Sequence, residues 1–173
     1  WSDIRKLFVS MLPKTATIQV VDVDGNPITL VGRADVFELD RTKYLSSPRP
    51  LLASVELDDL SDVLTLNSEQ FPRSLQVRFH IPGYGVDYAS VELGKRRAHK
   101  LRLGPPTAVT GVVLGKGGSP LEGAKVMALG IASRGVVVSE SVSNQQGRFE
   151  LIGISQRVGM LVLRVLKEGY AMK

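Results

Sequence analysis

Strict alternation marks the middle of the chain. Leu75, Val77, Phe79 and Ile81 are apolar, and Gln76, Arg78 and His80 between them are polar. Side chains on a strand point to opposite faces in turn, so this pattern predicts a strand with one face for a core and one for water. Thr17 to Val23 is rich in β-branched residues and ends in Asp24-Gly25-Asn26-Pro27, a turn signal in which Gly takes positive φ and Pro fixes the next φ. Ala34 to Leu39 reads as the next strand. Val86 to Leu93, followed by His99, Leu101 and Leu103, reads as a closing hairpin around Gly94-Lys95-Arg96-Arg97. Further on, Val109 to Leu114 is a strand and Gly117-Gly118-Ser119-Pro120-Leu121 a turn. Ala124, Val126 and Ala128 alternate with Lys125 and Met127, and Val136 to Val142 is another apolar run. Asn144 to Gly147 is a turn, after which Arg148 to Leu151 resumes a strand, and Leu161, Leu163 and Val165 alternate last. Only the start follows another period. Trp1, Ile4, Leu7, Phe8, Met11 and Leu12 recur at three- and four-residue steps, predicting a short helix capped by Ser2 or Asp3 and stopped before Pro13.

Composition agrees with many short strands. The 17 glycines and 9 prolines suit turns, and 43% hydrophobic with 23% charged residues is a globular balance. A length of 173 residues admits one large domain or two small ones. Gly104-Pro105-Pro106 is a stiff extended connector. It divides the chain into a helical segment 1–13, a first β-module 14–104 and a second 105–173. The net charge of +5 is spread out: residues 1–104 carry 14 Lys/Arg against 13 Asp/Glu, and residues 105–173 carry 8 against 4. That reads as solubility charge, and nucleic acid is not expected as a partner. The absence of Cys excludes disulfides, thiolate metal sites and a thiol nucleophile. No run of 18 apolar residues is present, so no membrane-spanning helix is expected. No signal peptide is visible, and a start at Trp1 suggests a processed or excised piece of a longer protein.

The strongest signal is an internal repeat. Asp24-Gly25-Asn26-Pro27-Ile28 matches Gly117-Gly118-Ser119-Pro120-Leu121, and each precedes a strand with a small residue near its start, Ala34 or Ala124. Leu75-Gln76-Val77-Arg78-Phe79 matches Leu161-Val162-Leu163-Arg164-Val165, and each copy reaches a Gly-Tyr pair, Gly83-Tyr84 or Gly169-Tyr170. The first copy carries a longer insert, from about Asp40 to Ser61. In residues 107–170, Val109-Thr110-Gly111-Val112-Val113, Pro120 to Val126, Gly147-Arg148-Phe149-Glu150-Leu151 and Gly169-Tyr170 follow in one order. This order resembles the carboxypeptidase regulatory-like domain, a prealbumin-like sandwich. Residues 15–103 match less closely, with Asp62 to Leu66 in place of the Gly-aromatic turn, and read as a divergent copy or as another sandwich type. The expected fold is therefore all-β, with two tandem small antiparallel β-sandwiches of prealbumin/Ig-like type and a short N-terminal helix. The family pattern has a further strand after Gly-Tyr, which Val86 to Leu103 can supply in the first copy. The second copy stops three residues after Tyr170, and truncation is the favoured explanation, with another chain or segment supplying the strand as the alternative.

Candidate chemistry is sparse. His80 and His99 are the only histidines, and neither has His or Glu at metal-ligand spacing. No nucleophile elbow or phosphate-binding Gly-rich loop is present. Asp22, Asp24 and Asn26 alternate oxygens as a calcium loop does, without the further ligands an EF-hand needs, so a turn is expected. Glu56, Asp58, Asp59 and Asp62 form an acidic cluster, expected as a solvated loop or helical turn. The candidate contact residues for a ligand or partner are Tyr84 and Tyr88, which could stack on a sugar, and the basic run Lys95, Arg96 and Arg97, with Lys100 and Arg102 beyond it. No catalytic, metal or cofactor residues are assigned, and no enzyme activity is expected. The resemblance implies a non-catalytic structural or interaction module of a larger, bacterial, extracytoplasmic protein. Its partners would be other domains of the same polypeptide or other proteins. The alternatives are carbohydrate binding at the cell surface through Tyr84, Tyr88 or the loop 40–61, with polysaccharide as ligand, and an accessory role beside a flanking peptidase.

Overall fold

The computed structural model describes residues 14–39, 49–58, 61–95, 98–130 and 136–170. The predicted helix over 1–13 lies outside the described residues, as do Asp59, Arg96 and Arg97. The first half is built from β1 (Thr15–Val21), β2 (Gly32–Glu38), β3 (Leu51–Leu57), β4 (Val63–Asn67), β5 (Ser74–His80), β6 (Asp87–Glu92) and β7 (His99–Arg102). The second half holds β8 (Pro106–Val112), β9 (Lys125–Gly130), β10 (Val137–Val142), β11 (Arg148–Ser155) and β12 (Leu161–Leu166). The chain is all-β among its described residues, and every strand pairing is antiparallel except β1 with β7.

Alternation fixes which side of each strand is buried. Ala16, Ile18 and Val20 of β1 are at most 2% exposed, and Ile18 pairs across to Leu64 and Ala16 to Leu66 of β4. Ala34 and Val36 of β2 pair with Phe79 and Val77 of β5, all four wholly buried. The sheets β4-β1-β7 and β3-β2-β5-β6 supply one hydrophobic cluster between them, as two facing sheets do. The sheets β11-β8 and β10-β9-β12 supply a second, around Val113, Ala124, Val126, Ala128, Leu151 and Ile154.

The repeat in sequence is a repeat in hydrogen bonding. Ile28 N–H donates to the Val20 carbonyl at 3.1 Å, and Leu121 N–H to the Val113 carbonyl at 2.9 Å. Val21 bridges to Pro27, and Leu114 to Pro120. Tyr84 N–H donates to the Ile81 carbonyl at 3.1 Å, and Tyr170 N–H to the Lys167 carbonyl at 3.1 Å. The pairings β1–β4, β2–β3 and β2–β5 recur as β8–β11, β9–β10 and β9–β12. The first half then adds β6 on the outer edge of β5 and β7 on that of β1.

Three expectations are corrected. Val86 to Leu103 is not a hairpin, because β6 joins β5 in one sheet whereas β7 crosses to the other and runs parallel to β1. The insert is not loop throughout, because Leu51–Leu57 forms β3 beside β2, with Ser54 opposite Asp35 and Glu56 opposite Arg33. The polar face of β5 is not open to water. Gln76 is wholly buried, and the side chains of Arg78 and His80 are only 19% and 29% exposed.

Candidate functional site at the junction of the two cores

The halves meet through backbone rather than through side chains alone. Val86, just before β6, pairs in parallel with Ile154 of β11. Its N–H donates to the Gly153 carbonyl at 2.6 Å, and its carbonyl accepts from Ser155 N–H at 3.2 Å. Gly85 N–H donates to the Gly104 carbonyl at 2.9 Å, and Gly104 N–H to the Ser155 hydroxyl at 3.2 Å. A Cβ on Gly85 would lie 2.7 Å from the Ile154 carbonyl carbon, so only glycine lets the two backbones approach this closely. Tyr88 of β6 packs against the second hydrophobic cluster, its ring so close to Gly130 that a Cβ there would lie 2.7 Å from the hydroxyl. The connector thus becomes part of the junction. Pro106 opens β8 opposite Ser155, and the Pro105 carbonyl accepts from Gln156 N–H at 3.2 Å.

A buried ion cluster braces the same side. Asp35, in the middle of β2, is 1% exposed. It accepts from Arg78 Nη2 at 2.7 Å and from the Ser54 hydroxyl at 2.7 Å, and lies 3.0 Å from Arg33 Nε and 3.1 Å from His80 Nε2. Burial pushes the Asp35 carboxyl up, but the hydrogen bonds and charge of Arg78, with Ser54 and Arg33, hold it below the usual carboxylate range. Burial, and then the Arg78 charge, push the His80 imidazole down. Arg78 also stacks over the Phe37 ring at 5.2 Å and donates to the Val137 carbonyl of the second half. One guanidinium therefore ties β2, β5 and β10 together.

Asp87, at the start of β6, is 7% exposed and accepts from Tyr88 N–H at 2.8 Å. Burial pushes its carboxyl up, against the opposing pull of Tyr88 N–H, the Ser155 hydroxyl and Arg157. Lys100, Arg102 and Arg157 surround it at a shallow basic depression.

The candidate contact residues do not form one site. Tyr84 is half-buried against the first cluster, and Tyr88 against the second. Lys95 is exposed and paired with Glu92 at 2.7 Å, while Arg73 holds the other Glu92 oxygen at 2.8 Å. Lys100 and Arg102 flank the inward Leu101 on β7. Asp22 closes its turn: Oδ1 accepts from the backbone N–H groups of Asp24, Gly25 and Asn26 at 2.8–2.9 Å, and Oδ2 from Asn26 Nδ2 at 3.0 Å. The bonds from Asn26, first among these, hold its carboxyl low. Asp62 accepts from Gln19 Nε2 at 2.7 Å. Among the described residues no group of three His, Asp or Glu is placed to hold a metal ion. The Asp35 cluster escaped the sequence reading. Its signal was a carboxylate between Ala34 and Val36, in the middle of an apolar strand.

A groove of about 970 Å³ with a mixed lining, Thr110, Lys167 and Glu168 included, runs between β8 and β12, away from the junction. Val113, Leu121, Phe149, Leu163, Val165 and Tyr170 are among its lining residues.

No protein-family model matches the sequence. No curated protein matches it either. Among solved structures, a streptococcal ancillary pilin is similar at 18% identity and TM-score 0.37, over 94% of this chain and 56% of that one. The shaft pilin spaA of Lactobacillus rhamnosus GG is similar at 13% identity and TM-score 0.38, over 92% of this chain and 90% of that one. The pilus backbone protein RrgB of Streptococcus pneumoniae is similar at 15% identity and TM-score 0.31, over 93% of this chain and 57% of that one. The chain thus spans a little over half the length of the ancillary pilin, and likenesses this slight carry no argument about what it does.

Proposed function

We propose that the chain is a non-catalytic structural and interaction segment of a larger, bacterial, extracytoplasmic polypeptide. In it, two prealbumin-like sandwiches, residues 14–104 and 105–173, act together as a rigid spacer. The observation that carries this reading is the junction. Backbone bonds at Val86, Gly85 and Gly104, and the Arg78 contact to Val137, leave the connector no independent freedom. A spacer needs that stiffness, because freely jointed domains transmit neither distance nor force. The extracytoplasmic setting and the family rest on the resemblance of the sequence motifs to carboxypeptidase regulatory-like domains. Carbohydrate binding through Tyr84 and Tyr88 finds less support, since both rings are half-buried against the cores.

The absence of native cysteine makes the test clean. Spin labels at Asp24→Cys and Gln146→Cys, both exposed, report the separation of the halves. A single narrow distance distribution is expected, broadening in Gly85→Val. A broad distribution in the parent chain would remove the rigid-spacer reading.

A further inference from the structure

The depression beside Asp87 draws its positive charge from both halves. Lys100 and Arg102 alternate with the inward Leu101 and Leu103 along β7 and just beyond it, so both lie on the same outer side of the strand. Arg157 comes from the turn after β11 and is placed from behind. Its N–H donates to the Ser155 hydroxyl at 3.2 Å, and its side chain lies across Gly104, where a Cβ would be 3.2 Å from Arg157 Cγ. The same hydroxyl accepts from Gly104 N–H at 3.2 Å, so one buried serine sets both the end of β7 and the arginine beside it. The three basic side chains are exposed and line, with Asp87, a hollow of about 370 Å³. Asp87 does not pair with them. It is 7% exposed and held by Tyr88 N–H at 2.8 Å and by the Ser155 hydroxyl. Among the described residues, no carboxylate makes an ion pair with Lys100, Arg102 or Arg157.

We propose that this hollow is a binding site for a doubly charged oxyanion of the phosphate type, held between Lys100 and Arg102 of the first half and Arg157 of the second. Three like charges around one hollow repel each other, and a counter-charge from outside the chain relieves that repulsion. Two of the three are guanidinium groups, whose planar forks match pairs of phosphate oxygens, and Lys100 adds a point charge. No aromatic side chain lines the hollow, so nothing there stacks on a base or a sugar ring, and the charged group itself is what the site reads. The bound ion ties the second half to β7 of the first. The site rests on the junction geometry, not on the spacer role.

The test is an NMR titration of the full chain with inorganic phosphate, at constant ionic strength with chloride as the balancing ion. The backbone amides of Tyr88, Gly104 and Arg157 should shift together and saturate on one curve. Arg157→Gln, an exposed change that leaves the rest of the spectrum in place, should weaken binding by at least about tenfold. Asp87→Asn removes the one negative charge at the hollow and should tighten it. Methyl phosphate separates the sources: binding equal to that of inorganic phosphate assigns the site to an ester-borne group, and loss of binding assigns it to the free ion. Shifts that do not saturate, or that spread equally over the exposed Lys116, Arg148 and Arg164, are ordinary screening and overturn the proposal. Undiminished binding in Arg157→Gln overturns it as well. No saturable binding in a chain whose spin-label distance is narrow removes the site and leaves the spacer reading in place.

Discussion

Asp35 and Asp87 are both nearly inaccessible carboxylates on strands of the first half, and their surroundings push them in opposite directions. Asp35 has a guanidinium, a hydroxyl and a second arginine to favour its charge, so its folded pKa lies below the unfolded value. Such a group contributes stability that is present above the unfolded carboxylate pKa and is lost as the pH falls through the folded one. Asp87 is held mainly by burial, so its folded pKa lies above the unfolded value. Its contribution is present below the unfolded pKa and lost as the pH rises through the folded one, which makes the ionised Asp87 a liability at neutral pH. Asn keeps the shape in both positions, and at position 87 it keeps the acceptor for Tyr88 N–H. Asp87→Asn should therefore raise Tm at pH 7, with the gain vanishing below about pH 4. Asp35→Asn leaves Arg78 under-compensated and should lose about 2–4 kcal/mol at pH 7, with the loss shrinking in acid. Thermal melts across pH 3 to 8 check both. Equal pH profiles for the two variants would contradict the assignment of their environments.

At the scale of elements, turn geometry decides what a glycine is worth. Gly25 and Gly147 both have positive φ, 96° and 70°. A Cβ on Gly25 meets open space, whereas one on Gly147 lies 2.5 Å from the Val113 carbonyl oxygen and 3.1 Å from Leu121 N, inside the turn that the repeat reuses. Gly25→Ala should cost about 1 kcal/mol from backbone strain alone. Gly147→Ala should cost about 2–3 kcal/mol, because it also displaces a backbone hydrogen-bonded pair. Urea unfolding of the two variants reads the difference, and equal costs would show that the turn yields freely. These turns were legible in the sequence because Gly, Asn and Pro act locally. The alternation of β5 was legible for the same reason. Strand partners were not. The run from β6 to β7 alternates on both sides of Gly94-Lys95, as a hairpin would, and nothing local says that Leu101 and Leu103 belong across the core beside β1. The strand in the insert was missed because Leu51, Leu52 and Ala53 do not alternate, and β3 shows only one fully buried residue, Leu57. The polar face of β5 misled for a tertiary reason. Asp35, Phe37 and the second half cover Gln76, Arg78 and His80, and only the assembled chain brings them there.

For the whole molecule, the question is whether two cores behave as one unit. Each has its own hydrophobic cluster, and a cluster of this size can unfold independently when little crosses the boundary. Here much does cross. Tyr88 belongs to a first-half strand but packs in the second cluster, and Ser155 belongs to a second-half strand but holds Gly104 and Val86 of the first. Unfolding either half therefore exposes apolar surface and backbone groups of the other. This interfacial free energy makes the two transitions one, as in repeat arrays whose neighbours are strongly coupled. Calorimetry of the parent chain should give a single transition whose calorimetric and van't Hoff enthalpies agree. Gly85→Val puts side-chain atoms where the Ile154 and Ser155 backbone now lies, while leaving both clusters chemically intact. It should split the melt into two transitions, the lower belonging to the second half, whose inner face is the more exposed. Tyr88→Ala should act in the same direction through lost packing, without touching the backbone bonds. Two transitions already present in the parent chain would mean that the junction's contacts are too weak to couple the halves, and the stiffness assigned to it would have to come from elsewhere.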